Sequence, residues 1–172
     1  METRSELTGV EKALMRLVVA KGICQIRGID TRGDEASIHR AARPQSNFFV
    51  TLRTENHQIS PGPITPTTVC RFAEVLHYRL QQSGLKFDAI AGIPLAAEPF
   101  AEALKDICGR SVSLIRLEKI SSRGDRRVEV CDPESAANRQ VLVLNEVIDQ
   151  GQLTLKAIRS LWKAGAKVVG VV

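Results

Sequence analysis

The residues of this chain that can do chemistry cluster where its apolar runs stop. The run 140–144 (QVLVL) gives way to the polar pair Asn145-Glu146, then to Val147-Ile148, then to the polar turn Asp149-Gln150-Gly151-Gln152. A buried run, a turn holding glycine and a helical pattern after it place backbone N–H groups at a helix start, where they can hold a phosphate. The acid–amide pair ahead of them can bind ribose hydroxyls or a magnesium-borne sugar. A second run, 88–93 (DAIAGI), ends at Ile93-Pro94-Leu95, and a third, 111–115 (SVSLI), ends at Arg116-Leu117-Glu118-Lys119. Ligands of an open parallel sheet bind beyond the carboxyl ends of its strands, so these three ends are the candidate site. Arg53, which closes the run FFVTLR, is a fourth candidate.

Such ends need a sheet behind them. The runs 88–93, 111–115, 140–144 and 167–172 are short and apolar, the pattern of strands buried on both faces. Helical stripes separate them. After Pro99, the residues Phe100, Ala103, Leu104 and Ile107 recur at helical spacing up to Gly109. In 153–164, Leu155, Ile158, Leu161 and Trp162 do the same, up to Gly165. Upstream, Val10, Ala13, Leu14, Leu17 and Val18 predict a helix over 9–20. Val69, Phe72, Ala73, Leu76 and Leu80 predict another over 67–83. The run 48–52 (FFVTL) reads as a strand, and 60–66, with three prolines, as a loop. The charged segments 27–46 and 118–137 read as loop or irregular structure. The order strand, helix, strand, strand, helix, strand predicts a single-domain α/β fold with a central, mainly parallel sheet flanked by helices.

Composition agrees and removes whole classes of function. A chain of 172 residues is one domain and buries about 70% of its unfolded surface without a structural metal. It is 44% hydrophobic and 25% charged, with no apolar run near the ~20 residues of a membrane span. Glu11, Lys12 and Arg16 interrupt the first apolar stretch, so no secretory signal is expected there. The four cysteines form no CxxC pair and the three histidines no HExxH pattern, which argues against a metal site of the chain's own. Free thiols point to the cytoplasm. The net charge of +5 suits a phosphorylated ligand and leaves nucleic acid open, although 4% aromatic residues is thin for base stacking.

The run VLVLNEVIDQGQLTLKAI resembles the phosphoribosyl-pyrophosphate motif of type I phosphoribosyltransferases, a strand followed by two acidic residues, two apolar ones and a Thr-Thr/Ser-Gly-Gly/Ser turn. DAIAGIPLAAEPFAEAL is similar to the pyrophosphate-holding strand–loop–helix of the orotate phosphoribosyltransferases. LIRLEK resembles their Val-Arg-Lys-Glu, which opens a mobile catalytic loop. SNFFVTLR and the helix ending in KGIC resemble their N-terminal segments, so the resemblance spans about residues 8–172. It implies a hood over residues 1–65 and an α/β core over 66–172. It also implies transfer of ribose 5-phosphate from phosphoribosyl pyrophosphate to a pyrimidine base, with Mg2+ carried on the substrate, and a homodimer. Lys119 and Glu146 are then the catalytic candidates. Arg53, Arg116, Asn145, Asp149, Gln150, Gly151 and Gln152 join Glu146 as substrate-binding residues, and Ile93, Pro94 and Leu95 form the pyrophosphate loop.

The departures fall on the same motifs. One acid of the pair is Asn145, the hydroxyls of the phosphate turn are absent, and Asp149 brings a negative charge to it. Asp149 facing the phosphate would repel it; Asp149 facing outward would cap the following helix. The loop lysine expected two residues after Glu118 is Ile120, so Lys119 stands one residue out of register. Two functions follow, a phosphoribosyltransferase or a catalytically impaired relative acting as a nucleotide-binding or regulatory protein.

Overall fold

The computed structural model describes residues 9–20, 24–26, 48–50, 52–58, 61–122, 125–146 and 151–172. In chain order the elements are α1 (Gly9–Ala20), β1 (Cys24–Ile26), β2 (Phe48–Val50), α2 (Pro66–Ser83), β3 (Ala89–Gly92), α3 (Glu98–Cys108) and β4 (Ser113–Leu114). After them come β5 (Leu117–Ser122), β6 (Asp125–Val130), α4 (Pro133–Ala136), β7 (Gln140–Leu144), α5 (Gln152–Lys163) and β8 (Lys167–Val171). Thr65 sets the start of α2 by accepting a hydrogen bond from the Thr68 N–H, and Pro66 follows at the first turn.

The expected parallel sheet is present, in the order β4-β3-β7-β8. Ala89 to Gly92 pair with Val141 to Leu144 residue for residue, and both stretches are buried on both faces. Asp88 locks the register, because its carboxylate accepts the Gln140 N–H at 2.9 Å. The crossovers β3-α3-β4 and β7-α5-β8 run to opposite edges. Right-handed connections therefore put α3 and α5 on opposite faces and leave a switch point between β3 and β7. Leu104 of α3 and Leu161 of α5 are fully buried, as are Ile90 and Leu142 of the sheet.

Gly92 lets α3 lie directly on the end of β3. A Cβ there would meet the Ala97 carbonyl oxygen at 2.9 Å and the Ala101 Cβ at 3.0 Å. Gly92→Ala is expected to destabilise the fold by about 1–3 kcal/mol, the usual result of overpacking. Urea denaturation would show a lower midpoint at unchanged slope; a native midpoint would contradict the packing described.

Three expectations need correction. The charged segment 118–137 is an antiparallel hairpin, β5–β6, followed by the short helix α4. Its charges hid an alternation: Leu117, Val128 and Val130 are buried, while Glu118, Lys119 and Glu129 are exposed. The hairpin is anchored to α5, where Ser160 Oγ accepts the Val130 N–H at 3.1 Å. The helix faces are also rotated from the expected stripes. The α3 face is Phe100, Ala101 and Leu104, with Ile107 39% exposed; the α5 face is Thr154, Ala157 and Leu161, with Leu155 52% and Trp162 60% exposed. These outliers lie on helix flanks next to the buried stripe, where apolar residues still tolerate water. Finally, the strand expected over 111–115 is only Ser113–Leu114. β2 pairs antiparallel with β1, apart from the main sheet, and all of 27–46 lies outside the described residues.

Candidate functional site

Two strand ends meet at the switch point. Ile93 extends the β3–β7 pairing by donating its N–H to the Leu144 carbonyl at 2.8 Å. The chain then turns through Pro94, Leu95 and Ala96, and the Ala97 N–H returns to the Ile93 carbonyl at 3.1 Å. The Pro94–Leu95 peptide is cis. Through its bond to Leu144, Ile93 is joined to the residue that precedes Asn145 and Glu146.

Asn145 is held twice. Its N–H donates to the Val172 carbonyl at 2.8 Å, and its side-chain Nδ2 donates to Thr154 Oγ1 at 2.9 Å. Thr154 is only 5% exposed and stands on the first turn of α5. The Asn145 amide therefore ties the end of β7 to the start of α5, and its carbonyl oxygen remains as an acceptor. Thr154 did not stand out in the sequence reading; its place three residues after Gly151, on the buried face of α5, is the signal that would have found it. Thr154→Val removes the acceptor and leaves a half-buried amide without its partner. The expected loss is about 1–2 kcal/mol of stability, read by urea denaturation; no loss would mean that the bridge contributes nothing.

Glu146 is half-buried, and burial pushes its carboxyl above the usual range. A hydrogen bond from its own N–H and the positive charge of Arg53 oppose that rise. Arg53 sits in a tight clasp: the Ile64 N–H donates to the Arg53 carbonyl at 3.1 Å and the Gly62 N–H to the Thr54 carbonyl at 2.9 Å. Gly62 presses on the Arg53 backbone, leaving no room for a Cβ. His57, in the same clasp, has its basicity lowered by burial and then by Arg53. The charge of Arg53 thus acts on Glu146, far from it in sequence.

Gly151 begins α5 at φ 67°, the left-handed region that favours glycine, and its carbonyl accepts the Leu155 N–H at 2.8 Å. Gln152 is the first residue of the helix and is exposed. The cap position belongs to Gly151, which has no side chain. Asp149 and Gln150 lie outside the described residues.

Arg116 follows β4, exposed, and its charge acts on Glu98 at the start of α3 and on Cys131. Burial and then Glu102 push the Glu98 carboxyl up, while Arg116 lowers it. Lys119 is exposed on β5, opposite Val128. Arg116 directly precedes β5, and Lys119 stands on that strand rather than in an unstructured loop.

A cavity of about 330 Å³ opens beside Asn145 and Glu146, walled by Leu52, Phe72, Phe100 and Val172. Among the described residues, no group of three or more His, Cys, Asp or Glu is placed to hold a metal. No helix among them is long and apolar enough to cross a membrane.

Comparison with known proteins gives the same picture. No protein-family profile matches the chain. It is 31% identical over 129 residues to an orotate phosphoribosyltransferase of Pyrobaculum islandicum, covering 72% of this chain and 65% of that protein. It is 30% identical over 128 residues to the orotate phosphoribosyltransferase of Pyrobaculum aerophilum, covering 74% of this chain and 60% of that one. The chain therefore spans about three fifths of the length of these curated relatives. Among solved structures, Leishmania donovani UMP synthase superposes with a TM-score of 0.61 at 21% identity, over 92% of this chain and 30% of that one. Orotate phosphoribosyltransferase of Francisella tularensis gives 0.57 at 15% identity, over 92% of this chain and 68% of that one. The last two establish the fold alone. With the sequence relatives, the strand-end residues and the sheet order in agreement, the chain belongs to the type I phosphoribosyltransferase family and is similar to its orotate phosphoribosyltransferases.

Proposed function

We propose that the chain binds phosphoribosyl pyrophosphate at the switch point and transfers its ribose 5-phosphate to a pyrimidine base, releasing pyrophosphate. The observation that carries this reading is the Glu146 carboxylate, held at the end of β7 beside the turn that follows Ile93. Glu146 accepts the ribose hydroxyls. The 5′-phosphate rests on the N-terminus of α5, where Gly151 lets the backbone approach closely. Backbone groups of the turn Ile93-Pro94-Leu95 take the pyrophosphate, and Arg116 and Lys119 neutralise it from the hairpin. The transition state resembles an oxocarbenium ion, so holding phosphate, ribose and pyrophosphate in place is most of the work. Mg2+ enters on the substrate. The chain offers it one carboxylate, Glu146, in keeping with an ion that keeps most of its ligands from phosphate and water. In this reading residues 1–65 form the hood, 66–172 the core, the hairpin serves the site of a second copy in a homodimer, and the protein works in the cytoplasm.

One observation favours a second reading. The Asn145 amide, which replaces an acid of the family motif, is engaged with Thr154. A site with one free carboxylate can bind a nucleotide without turning it over. Calorimetry with phosphoribosyl pyrophosphate and nucleoside monophosphates, with and without Mg2+, tests binding. Pyrophosphate release on adding a pyrimidine base tests transfer. Binding with release supports the transferase, binding without release supports the nucleotide-binding protein, and no binding overturns both.

A further inference from the structure

We infer that the outer face of α5, with the strand starts beside its C-terminal end, binds single-stranded nucleic acid: its cations hold phosphates and Trp162 stacks a base. This goes beyond the transferase reading and does not rest on it. The helix sequence, QLTLKAIRSLWK, contains no acidic residue. Lys156, Arg159 and Lys163 follow one another at i, i+3 and i+7, so they share one face, opposite the buried Thr154, Ala157 and Leu161. That row is about 10 Å long at ~1.5 Å per residue. Trp162, the chain's one tryptophan, stands beside it, three residues after Arg159 and largely exposed.

Two more cations extend the row. The Lys167 N–H donates to the Arg139 carbonyl at 2.8 Å and the Asn138 N–H to the Gly165 carbonyl at 2.9 Å, which ties the start of β7 to the turn that follows α5. Arg139 and Lys167 are both exposed at the N-terminal ends of β7 and β8, the end of the sheet away from the candidate site. Arg139, Arg159, Lys163 and Lys167 form no ion pair with another described residue. A track of unpaired cations with an exposed ring beside it is what a single strand needs: the cations take phosphates and the ring face takes a base of any kind. A membrane surface fits less well, because an interfacial helix sinks its apolar face into the lipid and α5 already buries that face in the core. An acidic protein segment would use the cations and leave the indole face idle, since carboxylates do not stack.

Fluorescence of the whole chain, titrated with an oligouridylate about 12 nucleotides long, tests the inference, because Trp162 is its only tryptophan. Binding is expected to quench Trp162, and log K is expected to fall against log salt with a slope of about −3, as for roughly four phosphates on a single strand. Trp162→Ala is expected to weaken binding, read by anisotropy of the labelled oligonucleotide, roughly 5- to 150-fold at unchanged slope. Lys163→Gln combined with Lys167→Gln is expected to flatten the slope by about 1.4 while quenching persists. These side chains are exposed, so the variants are expected to melt as the native chain does; the double charge variant serves as the test if Trp162→Ala does not fold. Polyglutamate and vesicles of phosphatidylglycerol are the competing probes, and neither is expected to quench Trp162. Equal binding of polyglutamate, insertion of Trp162 into the vesicles, oligouridylate that binds without quenching or not at all, or unchanged affinity in Trp162→Ala would each overturn the inference. Displacement of the oligonucleotide by phosphoribosyl pyrophosphate would put it in the strand-end site and overturn the inference as well.

Discussion

Asp149→Thr is expected to tighten the binding of a 5′-phosphate ligand by roughly 5- to 50-fold, about 1–2.3 kcal/mol. Asp149 lies two residues before Gly151, so the two Cα atoms are at most about 7.6 Å apart. Two unit charges ~7 Å apart repel by about 2.4 kcal/mol at an effective dielectric of ~20, and solvent in an open site reduces this. Threonine suits the choice because it removes the charge and keeps a hydroxyl that can serve phosphate or a helix start. Calorimetry of native and variant chains with phosphoribosyl pyrophosphate and Mg2+, at one fixed salt concentration, reads the difference. A gain shows a phosphate cradle held back by one charge. Equal affinities show that Asp149 faces away from the ligand, and the phosphate contacts are then made by backbone alone.

The parallel sheet was legible because its strands are buried on both faces. Ala89–Gly92 and Gln140–Leu144 have no reason to alternate, and uninterrupted apolar runs are what such positions need. The hairpin Leu117–Ser122 with Asp125–Val130 was not legible, because only three apolar side chains anchor it among many charges. Its signal was the spacing of Val128 and Val130, two residues apart, and charge density masked it. Leu155 and Trp162 misled in the opposite direction. Both are apolar and spaced by seven, yet the helix buries Thr154, Ala157 and Leu161. A buried threonine there makes sense only once its partner is known, and that partner, Asn145, lies nine residues earlier in the sequence. The candidate site was legible in the same way: strand ends announced themselves locally. The action of the Arg53 charge on Glu146, and the ion pair of Arg79 with Glu11, are long-range relations that no local pattern carries.

Glu146→Gln is expected to make the chain more stable at neutral pH and a poorer ligand binder. The sign follows from burial. The folded state holds this carboxyl above its ordinary value, so folding takes up a proton there. The stability linked to Glu146 is therefore fully present below the unfolded carboxylate range, near pH 4, and is lost as pH rises through the raised folded value. Glutamine has no charge to desolvate, so the variant escapes that loss. A rise of about 2–4 °C in Tm at pH 7, fading below about pH 4, is the expected result for a domain of this size. Affinity should move the other way. Hydrogen bonds to a charged group contribute about 1.5–3 kcal/mol, so losing the carboxylate should weaken ribose-phosphate ligands roughly 10- to 150-fold. Thermal melts at pH 4 and pH 7, paired with calorimetry using phosphoribosyl pyrophosphate, read both effects on one variant. A drop in Tm at pH 7 would make Glu146 a structural partner of Arg53 instead. Opposed signs would identify a carboxylate kept at a cost to stability because the ligand needs it, as a group built for binding should be.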